Sequence, residues 1–445
     1  MRDKFILFVI LTMIVGGIYL YLKGIIDFGE PEISVKTQNL RKIIGKKYSL
    51  EFKISDDNSG LKEIAIYIVQ DGENKFVKKF DIPKGVKEKE IKVDIDTDKY
   101  KLKKGEVDLI ISASDRGLFE NKTVKPFKFI VDPEPPEITT LYSQRYIMNG
   151  GTAFAFFKVS DDVEKLYIQM ENLKFNCLSG VFKNKSVYTC VFPYPYYWET
   201  KKEIFVSAED KAGNITTVKI PYRFKLKRYR KSLIKVSEKL MRKIRILAGN
   251  KKFPDEVEMF KYVNVKMRKE NEKKIHSITR NIVILKPQFK DRFTVMKRAA
   301  VLGGFADYRK YKYKGKIIEG GDAYHKGMDI ASIKNAEVPA AEDGVVVFTG
   351  FLGIYGNSII IEHGLGVYTL YSHLLDFKVK KGETVKRGQI IAHTDTTGLA
   401  LGDHLHFGVL IQGLEVHPIE WLDRKWLKTR FFDKYNELKG IYGEG

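Results

Sequence analysis

Two histidines lie one residue apart in the stretch GLALGDHLHFGV. Residues i and i+2 of a β-strand point to the same face, so the side chains of His404 and His406 are expected to share one space. Such a pair is compatible with two surface histidines or with a metal ligand beside a catalytic partner. A hydrolytic zinc site needs three protein ligands and an open fourth position for water. His325 and Asp329, in the stretch YHKGMDIA, can face the same way on an extended segment and complete such a set with His406.

Two neutral imidazoles and one carboxylate would keep a bound Zn²⁺ a strong Lewis acid, able to lower the pKa of its water towards about 7. The sequence has no HExxH motif, whose Glu is the base in zincins. A neutral histidine beside the metal is the available substitute, and His404 is the candidate. His373, in YTLYSHL, is a second candidate that could hydrogen-bond the developing oxyanion or assist proton transfer.

The remaining four of the eight histidines are expected to be structural. His276 lies in a charged helical stretch and is interpreted as a surface residue. The other three fall at turns or strand ends: His363, His393 and His417.

Residues 291–425, which carry the candidate site, contain short apolar runs such as NSIIIEHG and GVYTLYSHL separated by glycine turns. This pattern is typical of a compact antiparallel β-domain. Residues 426–445 are expected to form a C-terminal tail.

Residues 226–290 are predicted to be a linker of long charged helices. Its stretch KLKRYRKSLIKVSEKLMRKIRIL is strongly basic, and could contact anionic lipid or wall polymer or simply be a solvated helix face. In the stretch FPDEVEMF, Pro254 is expected in the first turn of a helix. Apolar residues recur after it at roughly helical spacing, so one face is expected to pack on a neighbour: Phe260, Val263, Met267 and Ile278.

Residues 28–225 are predicted to be all-β and to contain an internal repeat. KISDDNSGLKEIAIYI is similar to KVSDDVEKLYIQM, and ISASDRGLFENKTV to VSAEDKAGNITTV. The Pro-rich stretch DPEPPEI separates the copies. Two β-sandwiches, 28–133 and 134–225, fit this arrangement and resemble bacterial immunoglobulin-like modules. They are expected to act as a spacer or as a docking platform for envelope proteins.

Two features of these modules could carry further chemistry. The paired aspartates of the SDD turns could bind Ca²⁺, although solvated turn carboxylates are the preferred interpretation: Asp56, Asp57, Asp161 and Asp162. The only two cysteines, Cys177 and Cys190, lack the CxxC spacing of a zinc or redox site. A structural disulfide is therefore favoured outside the cytoplasm.

The first residues predict a membrane anchor. Arg2 and Lys4 precede an uncharged apolar run over residues 5–22, and acidic residues follow it. At ~1.5 Å per residue this run spans roughly 27 Å, close to the hydrocarbon core of a bilayer. The absence of a clear small-x-small cleavage site favours an uncleaved single-pass anchor in the inner or cytoplasmic membrane. The charge distribution predicts a cytoplasmic N-terminus and a periplasmic or extracellular bulk.

The 445-residue chain is long enough for several domains, and its composition of 44% hydrophobic and 12% aromatic residues indicates folded domains. The formal net charge of +22 suggests an anionic environment. Export argues against nucleic acid and leaves anionic lipid or a cell-wall polymer. The predicted fold class is mainly β, with a cytoplasmic tail and transmembrane anchor (1–27), two sandwiches, a helical segment and the C-terminal β-domain.

The C-terminal region resembles the lysostaphin-type, LytM-domain zinc metallopeptidases of bacterial cell walls. The resemblance covers roughly residues 300–422 and rests on HKGMDIA, VPAAEDGVVVFTG, YTLYSHL, HLHFGV and HPIEWL. It implies that His325, Asp329 and His406 hold one Zn²⁺ per chain, and that His373 and His404 are the catalytic histidines. The run TTGLALGD departs from the usual Ser-Thr-Gly before HLH, but it changes no ligand position.

The resemblance implies hydrolysis of peptide cross-links in peptidoglycan by a membrane-anchored zinc endopeptidase. The alternative is a catalytically silent LytM-like scaffold that binds peptidoglycan or activates other wall hydrolases. A barrel-sandwich domain of the lipoyl-carrier or adaptor type also resembles VPAAEDGVVV with VKKGETVKRGQII, but such a domain has no reason to retain HxxxD and HxH.

Overall fold

The computed structural model describes residues 2–38 and 40–445. It is mainly β with an apolar N-terminal helix, as the sequence predicts. The chain folds as two compact units, one running to Pro136 and including Glu209–Thr216, the other containing Glu137–Ala208 and Thr217–Gly445. The domain limits expected at residues 27, 133, 225, 290 and 425 stay predictions.

The N-terminal helix α1 (Arg2–Leu22) has no buried residue. It is long and apolar enough to cross a membrane. Its 21 residues extend for roughly 31 Å at ~1.5 Å per residue, about the thickness of a bilayer's hydrocarbon core.

The first β-module forms two sheets that share an apolar core. Its strands are β1 (Glu32–Val35), β2 (Ile43–Ile44), β3 (Lys47–Ser55), β4 (Leu61–Gln70), β5 (Glu73–Asp81), β6 (Glu88–Asp96), β7 (Gly105–Asp115) and β8 (Lys122–Val131). One sheet has the order β1-β3-β6 and the other β2-β8-β7-β4-β5. Alternating residues of both sheets meet in the core, as Phe52 and Ile54 of β3 and Ile66 and Ile68 of β4 illustrate.

One turn carboxylate of this module is buried, contrary to the predicted solvated turns. Asp56 is 5% exposed, and its carboxylate oxygens lie near those of the buried Asp27 and Asp115. Asp56 accepts a hydrogen bond from the N–H of Gly60, and Asp115 accepts one from the N–H of Gly117. The burial of Asp56 and Asp115 is tolerated because each accepts a hydrogen bond from a backbone N–H of its own turn.

The second β-module again consists of two small sheets. Its strands are β9 (Ile138–Ser143), β10 (Tyr146–Met148), β11 (Thr152–Val159), β12 (Val163–Met170), β13 (Leu173–Asn176), β14 (Val187–Pro193), β15 (Phe205–Asp210), β16 (Ile215–Lys219) and β17 (Arg223–Lys225). The sheet orders are β14-β11-β9 and β13-β12-β15-β16, with a parallel pair β10-β17. Cys177 and Cys190 form a disulfide, as favoured from the sequence.

Strand β11 is buried on both faces. Ala155 and Phe157 point into the core of the second module. Phe154 and Phe156 point the other way, into a cluster shared with the C-terminal domain. Phe154 lies 5.1 Å from Phe431, measured between ring centroids. The second module and the C-terminal domain therefore share one continuous core.

The segment between them contains a strand as well as helices. It comprises β18 (Lys231–Lys235), α2 (Glu238–Ala248), α3 (Glu256–Lys261), a π-helical turn (Tyr262–Met267) and α4 (Arg268–Thr279). Residues 231–235 were expected to be helical, but they pair in parallel with a strand of the C-terminal domain, because tertiary pairing outweighs local helix propensity. Pro254 lies before α3 rather than in its first turn, since Asp255 is the N-cap.

The predicted apolar face of these helices is packed against a neighbour. Phe260 and Val263 are fully buried, and Met267 and Ile278 pack against the same cluster.

The C-terminal domain is built on one large antiparallel sheet. Its strands are β19 (Ala300–Gly303), β20 (Tyr308–Tyr313), β21 (Lys316–Ile317), β22 (Ala323–Tyr324), β23 (Met328–Ala331), β24 (Glu337–Pro339), β25 (Gly344–Phe351), β26 (Asn357–Glu362), β27 (Val367–Leu374), β28 (Thr384–Val385), β29 (Ile390–His393), β30 (Leu405–Ile411) and β31 (Leu414–Val416). The sheet order is β19-β23-β30-β27-β26-β25-β28, with β31 beside β30. A 3-10 turn (Gly353–Tyr355) lies between β25 and β26.

Helices follow the sheet: α5 (Pro418–Leu422), α6 (Arg424–Leu427), a π-helical turn (Lys428–Phe432) and α7 (Asp433–Tyr442). The segment expected to be a tail thus continues as helix, and it packs Phe431 and Tyr435 into the shared core.

A buried carboxyl joins the second module to helix α5. Oε2 of Glu420 accepts a hydrogen bond from the N–H of Thr152 at 2.7 Å, and Nε1 of Trp421 donates to the hydroxyl of the same threonine. Burial raises the pKa of Glu420 to about 8, more than the hydrogen bond from Thr152 lowers it.

We expect Glu420→Gln to stabilise this unit increasingly as the pH rises from about 5 to 8. In that range the folded state retains a proton that the unfolded chain has lost, so the wild-type protein loses stability with rising pH. The side-chain amide of the glutamine keeps an oxygen that can accept the hydrogen bond from the N–H of Thr152, and it does not titrate. The free energy of unfolding of the variant, relative to that of the wild type, should rise by up to about 1.4 kcal/mol per pH unit. It is measured by urea unfolding followed by tryptophan fluorescence. Glu437→Gln, on the exposed side of α7, is the control and should show no such gain.

Candidate functional site

Three adjacent strands bring the candidate residues together. In the pairing of β23 with β30, Asp329 lies opposite His406. In the pairing of β30 with β27, His406 lies opposite Ser372. Directly opposed residues of antiparallel strands project to the same face, so Asp329 and His406 are neighbours. His325 lies just before β23, and His404 just before β30.

The three candidate ligands converge on one point. Nε2 of His325 lies 2.9 Å from Oδ1 of Asp329 and 3.0 Å from Nδ1 of His406, and the last two atoms are 3.1 Å apart. Tetrahedral zinc with bonds of about 2.0–2.1 Å separates its ligand atoms by roughly 3.3 Å. The triangle is therefore within a few tenths of an ångström of the size that zinc requires.

Hydrogen-bond partners indicate that this triangle presents acceptors. Nδ1 of His325 lies 2.7 Å from the carbonyl oxygen of Gly304, which can only accept, so Nδ1 of the neutral ring carries the proton. Nε2 then directs a lone pair towards the carboxylate of Asp329. Nε2 of His406 is buried without a hydrogen-bond partner in the described part of the chain. Nε2 of His325 and Oδ1 of Asp329 are two acceptors facing each other in a buried place, where they repel unless a cation lies between them, so these residues fit Zn²⁺.

The two further histidines share one tautomer. Nδ1 of His404 lies 2.8 Å from the carbonyl oxygen of Gly402, and Nδ1 of His373 lies 2.8 Å from that of Thr397. Each carbonyl holds the proton on Nδ1 and leaves Nε2 able to accept one. Nε2 of His404 is 3.5 Å from Oδ1 of Asp329. The rings of His373 and His404 are 4.9 Å apart, centroid to centroid.

His373 reaches this face through an unusual backbone conformation. Ser372 lies opposite His406, so regular alternation along β27 would send the next side chain to the other side of the sheet. The φ of His373 is 63°, in the left-handed region, and its ring centroid is 6.0 Å from that of His406. Left-handed backbone is uncommon outside glycine and is concentrated at functional sites.

Electrostatics distinguish His373, His404 and His406. Burial favours the neutral ring and lowers the pKa of His373 to about 3 and that of His406 to about 4. Burial alone would raise the pKa of Asp329, but the neighbouring histidines hold it well below its ordinary value. Burial also opposes the charged form of His404, yet the hydrogen bond and charge of Asp329 raise the pKa of that ring. Of the rings whose pKa is shifted, His404 is the most readily protonated.

Arg309 contacts Asp329, the candidate carboxylate ligand, from outside the triangle of ligand atoms. Its Nη2 lies 3.4 Å from Oδ2 of Asp329, and its Nε lies 3.2 Å from Oδ2 of Asp307. The guanidinium thus engages one oxygen of Asp329 and leaves the other for the triangle, the arrangement expected of a partner that orients a metal ligand.

The candidate residues line a groove of about 350 Å³. The loop before β30 forms one wall through Leu399 and Leu401. The segment that precedes the C-terminal domain contributes another part of the lining: Ile234, Leu240, Phe260, Asn264 and Arg268. Leu240 and Phe260 belong to the same apolar cluster as Ile354 and Tyr355, so the preceding segment is packed onto the groove.

The four histidines predicted to be structural have partners outside the triangle. His363 is fully buried and bonds to Thr369, while His393 pairs with Asp376. His417 caps α5. His276 is 26% exposed rather than fully solvated, and its Nε2 lies 2.7 Å from the buried Glu415.

Sequence reasoning did not identify Arg309 and did not place any residue of the preceding segment in the groove, although it assigned Phe260 to a packed apolar face. None of them belongs to a recognisable motif, and the pairing of β18 with β20 that brings the segment to the groove is a long-range contact.

Comparison with known proteins places the similarity in the C-terminal domain. Residues 323–418 match the model of peptidase family M23. The chain is 41% identical over 95 residues to the DD-carboxypeptidase/endopeptidase Mpg of Neisseria meningitidis serogroup B, a match that covers 21% of this chain and 22% of Mpg. It is 38% identical over 120 residues to the peptidoglycan DD-endopeptidase ShyB of Vibrio cholerae, covering 27% of each protein.

A relative of another kind is the murein hydrolase activator NlpD of Escherichia coli, 35% identical over 120 residues, with 26% of this chain and 31% of NlpD covered. The chain thus spans less than a third of the length of these relatives. The matched residues include all five of the candidate site. Residues 323–418 are therefore a peptidase family M23 domain of the LytM type.

Proposed function

We propose that this protein is a membrane-anchored zinc endopeptidase that hydrolyses peptide cross-links of bacterial peptidoglycan. The observation that carries the proposal is the triangle of His325, Asp329 and His406, with Nε2 of His404 beside it. Family M23 contains peptidoglycan endopeptidases such as ShyB, which supports this substrate class.

The residues have distinct proposed roles. Nε2 of His325, Oδ1 of Asp329 and Nδ1 of His406 would hold Zn²⁺, which supplies a Lewis acid that polarises the scissile carbonyl and acidifies water. Nε2 of His404 accepts the proton of the attacking water, because its Nδ1 proton is engaged by Gly402. His373 lines the same groove with its Nδ1 proton engaged by Thr397, so its Nε2 is an acceptor that can assist proton transfer.

The alternative is a silent domain that binds peptidoglycan or activates other wall hydrolases. The similarity to the activator NlpD favours it. The presence of all five candidate side chains in one groove favours the enzyme.

Exposed apolar residues of the first module next to the end of α1, here called the module base, support the proposed membrane attachment. Beyond α1, three large apolar side chains are strongly exposed, Phe28 at 72%, Leu118 at 66% and Phe119 at 58%. The N–H of Leu118 donates to the carbonyl of Ile25, and the rings of Phe28 and Phe119 stack 5.5 Å apart. We infer that these residues sit in the membrane interface around the end of a retained, single-pass anchor whose N-terminus is cytoplasmic.

We expect His406→Ala to lose both bound zinc and turnover, whereas His404→Ala keeps most of the zinc but loses about 100-fold or more in turnover. The first change removes a corner of the triangle, and the second removes only the proton acceptor. Zinc per chain is measured by atomic emission after dialysis. His393→Ala is the matched control and should retain both properties. Equal zinc loss in the two site variants would contradict the assigned roles.

Purified sacculi incubated with the zinc-loaded protein should release soluble muropeptides, and a chelator should abolish the release. Zinc added back should restore it, because hydrolysis depends on the ion rather than on folding alone. Mass analysis of the products identifies the bond that is cut. If no chelator-sensitive release occurs although zinc is bound, the activator or scaffold role is the correct one.

The full chain is expected in the membrane fraction, resistant to high salt and carbonate, with residues 2–22 still present by mass spectrometry. Removal of residues 2–22 should leave a protein extractable by salt, because the aromatic residues at the module base alone provide little apolar area. A mature chain that begins after residue 22 would show that the helix is a cleaved signal.

A further inference from the structure

Arg268 is a cationic residue that lines the groove but lies outside the M23 domain. It is the first residue of α4, directly after the π-helical turn. The groove that it lines also contains His404 and Asp403 of the domain. Irregular helical turns of this kind are frequent at functional sites.

The guanidinium of Arg268 is held in place by a neutral partner. Its Nε donates to the carbonyl oxygen of Asn264 at 2.9 Å, and its Nη2 donates to Oδ1 of the same residue at 2.7 Å. Asn264 is fully buried and donates from Nδ2 to the carbonyl of Gly321 at 2.8 Å. The arginine is therefore oriented before any ligand binds, which reduces the entropy lost on binding.

This orientation leaves the positive charge uncompensated. Within residues 2–38 and 40–445 Arg268 forms no ion pair, and its Nη1 has no hydrogen-bond acceptor. The other arginine of the groove, Arg309, is paired with Asp307 and Asp329. Glu272, one turn further along α4, is paired with Lys326. Arg268 thus differs from its charged neighbours in having only neutral partners.

We propose that Arg268 is an anion subsite that binds a free carboxylate of the peptide substrate. A guanidinium with unused donors matches the planar carboxylate geometrically and prefers it to a neutral amide. The identification of the ligand as a peptidoglycan stem rests on the proposed function, whereas the carboxylate preference follows from the groove itself. The residue makes the enzyme sensitive to amidation of its substrate.

The test compares dimeric muropeptides that differ only in whether the stem carboxylates are free or amidated. The wild-type protein should have a kcat/KM about tenfold or more higher on the free-carboxylate form, as expected for a charge-assisted hydrogen bond. Arg268→Gln should bring that ratio close to one by raising KM on the carboxylate form alone. Arg268→Lys should restore part of the preference. Lys269→Gln removes the same charge from the adjacent exposed position and should leave the ratio unchanged.

Equilibrium binding of the same two muropeptides, by calorimetry, separates this inference from the proposed function. Tighter binding of the free carboxylate, lost in Arg268→Gln, supports the subsite even if neither compound is cleaved. Cleavage of both compounds with equal efficiency and equal affinity in wild type overturns the subsite and leaves the endopeptidase standing. Absence of both cleavage and binding overturns both.

Discussion

The pairing of β30 with β23 on one side and β27 on the other is the constraint on which the site depends. Opposed positions in these strands place Asp329 beside His406. A slip of one residue would turn Asp329 to the other face of the sheet and bring Met328 or Ile330, both now in the core, into the groove. Every residue of β30 is buried, so apolar packing specifies the register strongly. The geometry of the candidate metal ligands is thus a direct product of core packing.

The sequence predicted which residues converge in the candidate site better than it predicted the surroundings of that site. The spacing of His404 and His406, and of His325 and Asp329, encodes a shared strand face in a local pattern. The preceding segment could not be placed in the same way. Residues 231–235 carry a basic sequence that suits a helix, and only their long-range pairing with β20 makes them a strand. The burial of Asp56 depends on the three-dimensional turn that supplies its N–H donors.

The backbone of His373 illustrates a second limit. Strict alternation from Ser372 would place this imidazole on the other face of the sheet. No feature of the sequence YTLYSHL predicts the left-handed φ of 63° that His373 adopts. The motif identifies the residue through resemblance, whereas the conformation that brings it to the groove is visible only in the fold. Arg268 and Arg309 lie outside the matched range of 323–418, so the family motifs do not identify them. Only the fold shows that both residues line the groove.

Strand β11 has a consequence for how the chain could have arisen. Because Phe154 packs against Trp421 and Phe431, and Phe156 packs against Phe431, the C-terminal domain and the second module complete one another. Recombination that replaced only the second module or only the C-terminal domain would expose the aromatic residues of their shared core to water. The two are therefore expected to be inherited together, whereas the first module buries an apolar core of its own.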